Sequence, residues 1–232
     1  MKKIGLIGGL GPEATVDYYQ RIINFFKKRN DNLSYPEIII YSVTMSEFIG
    51  LMEIREYKKA TALLLEKIDM VRKAGADFLA LTANTPHLLF NQLAEKAKLP
   101  LVSIVEATCT EIITKNLKRP GLLGTKFTMN ASFYQDVFSK KGIEVIVPEE
   151  KDKELINHKL FSEIELGIFK DETREMLIQL IQKMINKQQI DSIILGCTEF
   201  PLILTADDYC GIPVLNTTKI HIKEICKICL EE

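Results

Sequence analysis

Short, continuously apolar runs alternate along this chain with longer stretches in which apolar residues recur every third or fourth position. The first kind suits buried strands and the second amphipathic helices. Lys3–Ile7 predicts a strand, and Pro12 to Arg29 a helix with Val16, Tyr19, Ile22, Ile23 and Phe26 on one face. Pro12 suits a first helical turn, where its missing N–H costs nothing. Glu37–Val43 predicts a second strand, Arg55–Ala74 a long helix ended by Gly75, and Phe78–Thr82 a third strand. The pattern then restarts: a short strand at Leu101–Ser103, a helix over Glu106–Leu117, a strand at Gly121–Leu123, a helix near Met129–Lys140 and a strand at Ile143–Val147. Helical segments at Glu150–Leu166 and Asp171–Asn186 precede a strand at Ser192–Leu195, and a last strand at Pro213–Leu215 precedes a helix over Ile220–Leu230. Strands of this kind, separated by helices, predict an α/β fold of parallel sheets flanked by helices.

The restart is an internal repeat. DFLALTANTP, from Asp77, aligns with DSIILGCTEF, from Asp191, so that Ala83 falls opposite Cys197. IGLIGGLGPEATVDYYQ resembles PGLLGTKFTMNASFYQ, with Ile7-Gly8 over Leu123-Gly124. Two segments recurring in the same order predict two similar α/β domains. We place them at residues 1–98 plus 212–232 and at residues 99–211, the final strand and helix returning to the first domain. Open α/β sheets bind ligands outside the carboxyl ends of their strands, so a cleft between the two sets of strand ends is expected. Four loops are nominated, 8–13, 82–87, 124–130 and 196–200. They carry Gly9, Thr82, Asn84, Thr85, His87, Thr125, Thr128, Asn130, Cys197, Thr198 and Glu199. Threonines, asparagines and backbone N–H groups suit a small carboxylate.

Composition narrows the classes. With 47% hydrophobic and 26% charged residues the chain has the make-up of an ordinary globular protein. A formal net charge of -1 argues against binding to a nucleic-acid backbone. The start MKKIGLIGGLGPEAT has lysines before apolar residues, but Gly8, Gly9, Gly11 and Pro12 break the run too early for a signal peptide. No uncharged apolar run approaches the ~20 residues of a membrane span, so a cytoplasmic chain with reduced cysteines is expected.

The candidate chemistries are few. Gly9, Gly11 and Ala14 fit a relaxed dinucleotide fingerprint, but Ser42, Val43 and Thr44 stand where an acidic ribose ligand belongs. A tight turn offering N–H groups to a smaller anion is preferred, with no cofactor. His87, His158 and His221 lack metal-ligand spacing, and no metal is expected. Of the five cysteines, Cys226 and Cys229 form a CxxC on the apolar stripe of a helix, and Cys109 sits in another; small buried hydrophobes explain them. Cys197 differs, in a short glycine-preceded loop expected at a helix N-terminus that lowers the thiol pKa. It reads either as a nucleophile or base, or as a small residue closing a strand.

IGLIGGLGPEAT, ANTPH, LLGTKFTM and GCTE, in this order and spacing, resemble the cofactor-independent aspartate/glutamate racemases over essentially the whole chain. That resemblance implies two α/β domains related by a pseudo-twofold axis, assembled as a homodimer, with a small amino acid or carboxylate held between two cysteines. One thiolate removes the Cα proton and the other thiol returns one from the opposite face, without pyridoxal phosphate. Carried over by motif, the second-domain cysteine is Cys197. Gly9, Leu10, Ala83, Asn84, Thr85, Thr125, Thr128, Thr198 and Glu199 fall at substrate-binding positions. The family's first cysteine is Ala83 here, which carries no proton; Thr82, one residue earlier, is the hydroxyl candidate for that face. The family's lysine in the later helical region is Glu165 here.

Three functions follow. The first is a racemase using Cys197 as its retained thiol acid–base. The second is a decarboxylase that protonates a carbanion from one face. The third is a small-molecule binding protein that kept the pocket and lost the reaction.

Overall fold

The structure is a computed structural model that describes residues 1–29 and 33–231. The chain divides into two compact units: unit 1, Met1–Ile104 with His221–Glu232, and unit 2, Val105–Ile220. Unit 1 runs β1 (Ile4–Gly8), α1 (Pro12–Arg29), β2 (Ile38–Ser42), α2 (Met45–Glu53), α3 (Tyr57–Lys73), β3 (Phe78–Leu81), α4 (Phe90–Lys96) and β4 (Leu101–Val102). Helix α5 (Ile104–Thr114) leads into unit 2, which continues with β5 (Pro120–Leu123), α6 (Lys126–Asn130), α7 (Phe133–Phe138), α8 (Glu150–Ser162) and α9 (Asp171–Gln188). It ends with β6 (Ser192–Leu195), α10 (Phe200–Ile203), β7 (Asp208–Tyr209) and β8 (Ile212–Asn216), after which α11 (Thr217–Leu230) supplies the last helix of unit 1.

The sheet of unit 1 has the order β2-β1-β3-β4 and is parallel throughout. The sheet of unit 2 has the order β5-β6-β8-β7, antiparallel only at β7. The registers carry the sequence repeat. Ile7 pairs with Leu81 in one sheet and Leu123 with Leu195 in the other, so the two aligned segments meet in the same register in each unit. The aspartates that open β3 and β6 act alike. Asp77 Oδ2 accepts the Lys3 N–H at 2.7 Å, and Asp191 Oδ2 accepts the Arg119 N–H at 2.9 Å. Each ties the start of its strand to the start of the neighbouring one.

Burial follows the pattern of short apolar strands: β1, β3, β5 and β6 are buried along their whole length. In unit 1 the core packs Ile4, Leu6, Phe78 and Ala80 against Tyr18, Ile22 and Phe26 of α1 and Ile222, Ile225, Cys226 and Cys229 of α11. Cys226 and Cys229 are thus hydrophobic packing groups, as expected, and Cys109 is buried as well. In unit 2, β5 and β6 pack on α8 and α9 through Ile156, Leu160, Leu177, Ile181 and Met184.

Several expectations need correction. The buried face of α1 runs through Ala14, Thr15, Tyr18, Ile22 and Phe26, while Val16 and Tyr19 are exposed. A stripe drawn through apolar letters alone missed Ala14 and the polar Thr15, whose Oγ1 accepts the Gly9 N–H. The strand expected at Ile143–Val147 shrinks to one bridge, Gly121 with Ile146, because chain beyond it turns into α8. The strand at Pro213–Leu215 lies in the second sheet, where Val214 pairs with Ile193, and not in the first. It is the counterpart of β4, whose Leu101 pairs with Leu79, so the repeat is longer than the sequence alone revealed.

Candidate active site

In unit 2 the chain leaves β6 through Gly196 and turns at once into Cys197, Thr198 and Glu199 before the short α10. Gly196 is required there: a Cβ would stand 2.7 Å from Leu122 Cδ1 and 2.9 Å from the Leu123 carbonyl oxygen. The tight exit buries the next three side chains, Cys197 at 6% exposure, Thr198 at 7% and Glu199 at 4%. The Cys197 thiol donates to Glu199 Oε2 at 3.0 Å, and the Thr198 hydroxyl donates to the same oxygen at 2.9 Å. Glu165 Oε1 lies 3.7 Å from the sulfur. One thiol and two carboxylates therefore converge, each offering an atom within 4.8 Å of the others. Such a trio can pass a proton, or hold a cation with soft and hard donors.

Glu165 arrives from a turn that other residues hold. After α8 the chain makes a single 3₁₀ turn, Ile164–Leu166, closed by Gly167 at φ +73°. The Glu163 main-chain oxygen accepts the N–H groups of Leu166 and Ile168, both at 3.0 Å. Its buried carboxylate accepts from Lys159 at 2.6 Å, Lys170 at 3.2 Å and the Thr173 hydroxyl. These bonds, Lys159 first, bring the Glu163 carboxyl down to about 2. The glutamate two residues on has no lysine beside it, only the Cys197 thiol. Burial, then the Glu199 charge, pushes the Glu165 carboxyl up to about 7.

The thiol itself is pushed up well above its ordinary value. Burial is the largest cause, followed by the charges of Glu199 and Glu165. This corrects the expectation of a lowered thiol pKa. The helix that follows has four residues, Phe200–Ile203, and its dipole is outweighed by desolvation and two nearby carboxylates. Cys197 is a protonated thiol at neutral pH.

At the exit of β5, Thr125 caps α6 by accepting the Thr128 N–H at 3.1 Å, and its hydroxyl donates to Thr128 Oγ1 at 3.1 Å. Asn130 Oδ1 accepts from Lys153 at 2.8 Å.

Unit 1 holds the corresponding loops. Gly9 turns at φ +80°, a conformation open to glycine, and its N–H is donated to Thr15 Oγ1 at 2.9 Å. Thr82 is fully buried; its hydroxyl donates to the Ile7 carbonyl at 3.3 Å and lies 3.2 Å from Thr15 Oγ1. The structure brings Thr82 to the β1–α1 junction. Ala83 is buried at 5% exposure, and its carbonyl accepts from His87 Nδ1 at 3.0 Å. His87 Nε2 accepts the Ile104 N–H at 3.1 Å, which fixes the neutral tautomer with the proton on Nδ1. His87 is therefore a structural histidine bracing the loop that carries Asn84 and Thr85. His221, also fully buried, takes the other tautomer: Tyr18 donates to Nδ1 at 2.9 Å and Nε2 faces the Val102 carbonyl at 3.1 Å.

Residues 7–225 match the Asp/Glu/hydantoin racemase family. The chain belongs to that family. Among its relatives is the broad specificity amino-acid racemase RacX of Bacillus subtilis, 27% identical over 205 residues, covering 87% of this chain and 87% of that protein. Two solved structures align over 100% of both chains. A putative Asp/Glu racemase from Yersinia pestis has 34% identity and a TM-score of 0.91. An aspartate racemase homologue from Pyrococcus horikoshii OT3 has 36% identity and a TM-score of 0.87.

Within this Asp/Glu/hydantoin racemase fold, the predicted residues of unit 2 separate into two groups. Cys197, Thr198 and Glu199 come together with Glu165, while Thr125 and Thr128 pair with each other. Thr15 and Glu163 were not among the candidate site residues, and Glu165 was marked only as standing where the family has a lysine. Thr15 reads as one more helix residue, and Glu163 and Glu165 fall at the end of the segment read as one helix over Glu150–Leu166.

Proposed function

We propose that this protein racemises an amino acid at Cα without pyridoxal phosphate, using Cys197 as its thiol acid–base. The observation that carries the reading is the 3.0 Å contact from the Cys197 thiol to Glu199 at the buried exit of β6. Membership of the racemase family and the amino-acid racemase activity of RacX support racemisation in general.

In the resting state the thiol keeps its proton, so it is ready to deliver one to a Cα carbanion. In the other direction the thiol proton passes to Glu199, and the thiolate takes the Cα proton. The electron pair left on Cα spreads into the substrate's own carboxylate. A proton added to the opposite face inverts the centre; one returned by the thiol restores the starting isomer. Ala83, opposite Cys197 in the repeat, brings no proton, and the Thr82 hydroxyl is spent on Ile7 and Thr15. We assign the opposite-face proton to water, and the hydroxide that this leaves is neutralised by the proton held on Glu199, which restores the resting thiol and carboxylate. Gly9, Leu10, Asn84, Thr85, Thr125, Thr128 and Thr198 are the proposed substrate-binding positions by resemblance, as are a homodimer and a cytoplasmic setting.

Cα hydrogen exchange in deuterated water, followed by NMR over an amino-acid panel, tests this reading. Exchange is expected above the Cys197→Ala background by about 10²–10⁴-fold, the usual contribution of one positioned acid–base. No excess over that background rejects it. Ala83 also favours chemistry on one face only, the decarboxylase reading, which a disubstituted malonate converted to a single enantiomer would reveal.

A further inference from the structure

Helix α8 ends at Ser162 and α9 begins at Asp171, and Glu165 lies on the segment between them. One carboxylate ties the two ends of that segment together. Glu163 accepts from Lys159 in the last turn of α8, from Lys170 immediately before α9 and from Thr173 in the first turn of α9. Its side chain is buried with these partners, and the next residue, Ile164, is anchored in the core of unit 2. A segment whose ends are fixed has few conformations left to lose, so it presents Glu165 at small entropic cost. The ammonium groups of Lys159 and Lys170 are both committed to Glu163. Glu165 is left with the Cys197 thiol, 3.7 Å away, and with the charge of Glu199 opposing its own.

Two charges bear on the sulfur, Glu199 from its own turn and Glu165 from the clamped segment. They act differently. Glu199 accepts the thiol's hydrogen bond and can take its proton, whereas Glu165 stands farther off and acts by its charge. A negative charge there disfavours the thiolate by an amount that depends on where the segment holds it.

We propose that Glu163 is a positioning residue for the proton transfer: by clamping both ends of the segment with Lys159, Lys170 and Thr173, it holds the Glu165 carboxylate beside the Cys197 sulfur and decides how readily the thiol releases its proton. The inference rests on the reading of Cys197 as the reacting thiol. Neutralising Glu163 acts on the sulfur in one direction by two routes. The segment is released, which lets Glu165 swing away, and Lys159 and Lys170 are set free to pair with Glu165. Either way the thiolate meets one negative charge fewer. The effect passes through Glu165, so removing Glu165 should abolish it.

The experiment is the pH profile of Cys197 alkylation by iodoacetamide in the full chain without substrate, read by peptide mass spectrometry. It compares the parent with Glu163→Gln, Glu165→Gln and the double variant. Each single change should lower the midpoint so that modification below it rises about threefold, the effect of half a pKa unit. The double variant should also gain about threefold, and not the product, because both changes take the same charge from the sulfur. Lys170→Arg should keep the parent midpoint. Lys170→Met leaves Lys159 on Glu163, and it carries the test if Glu163→Gln does not fold: its midpoint should move the same way. An unmoved midpoint overturns the inference, as do gains that multiply in the double variant. A rate raised equally at every pH with the midpoint fixed overturns it too, since the turn would then only screen the sulfur from solvent. Cα exchange in the parent without a shifted midpoint in the variants sinks this inference and spares the racemase reading. A shifted midpoint without exchange sinks the racemase reading and leaves the clamp on the thiol standing.

Discussion

The thiol of Cys197 donates a hydrogen bond to Glu199 Oε2, two residues along the chain and 3.0 Å away. Placing a thiol and a carboxylate so close inside a buried turn keeps the proton between them and disfavours the thiolate.

Alkylation makes that visible. Iodoacetamide at pH 8 should modify exposed Cys210 well before buried Cys197, as read by peptide mass spectrometry. In a Glu165→Gln, Glu199→Gln double variant, two charges opposing the thiolate are gone. Cys197 modification should then rise about tenfold, the effect of one pKa unit on the thiolate fraction. An unchanged rate would mean that burial alone governs the thiol.

Acid should loosen unit 1 through its two buried histidines. Burial holds His87 down to about 4 and His221 down to about 3, against 6.5 for a free imidazole. The unfolded chain takes up these protons below 6.5 while the folded one refuses them, so stability falls as pH drops from 6.5 toward 4. The loss is on the order of 3 kcal/mol for His87. Amide exchange of β1 and β3 at pH 7 and pH 4.5 should show reduced protection at the lower value, and His221→Gln should flatten the dependence. Equal protection at both pH values would contradict the burial of neutral imidazoles.

Glu163 has the opposite sign of shift and a lower window. Its carboxyl is lowered from 4.5 to about 2, so its contribution is complete above 4.5 and disappears as pH falls toward 2. At neutral pH, Glu163→Gln should raise amide exchange at Leu166 and Ile168 about tenfold by releasing the turn. Protection equal to that of the parent chain would show that the turn holds without Lys159 and Lys170.

Gly196→Ala should destabilise unit 2 by about 2 kcal/mol, since the added methyl meets Leu122 and the Leu123 carbonyl inside the ordinary contact distance. Urea unfolding followed by a unit 2 probe checks it. A cost below about 0.5 kcal/mol would mean that the β6 exit yields without strain.

Much of the architecture was legible because β1, β3, β5 and β6 are buried on every residue, and a strand buried on both faces must be written as an apolar run. The repeat was legible for a related reason. Asp77 and Asp191 must each meet a neighbouring strand's N–H groups, so a polar letter stands at the same step before both strands. The edges were harder. Ile146 makes one bridge and β8 is only partly buried, so neither carries a continuous apolar signature.

By itself the sequence determined that two alike α/β halves would form, that a thiol would stand at the exit of one strand and that a methyl group would stand at the other. Those facts are local, set by alternating periods and by a repeat of side chains at fixed spacing. Only the tertiary structure decided the thiol's proton, the neighbours of Thr82 and the partner of Glu165. A pKa or a hydroxyl's bond depends on groups brought together from distant positions. Glu165 reaches Cys197 from 32 residues away, and no pattern in the intervening chain announces it.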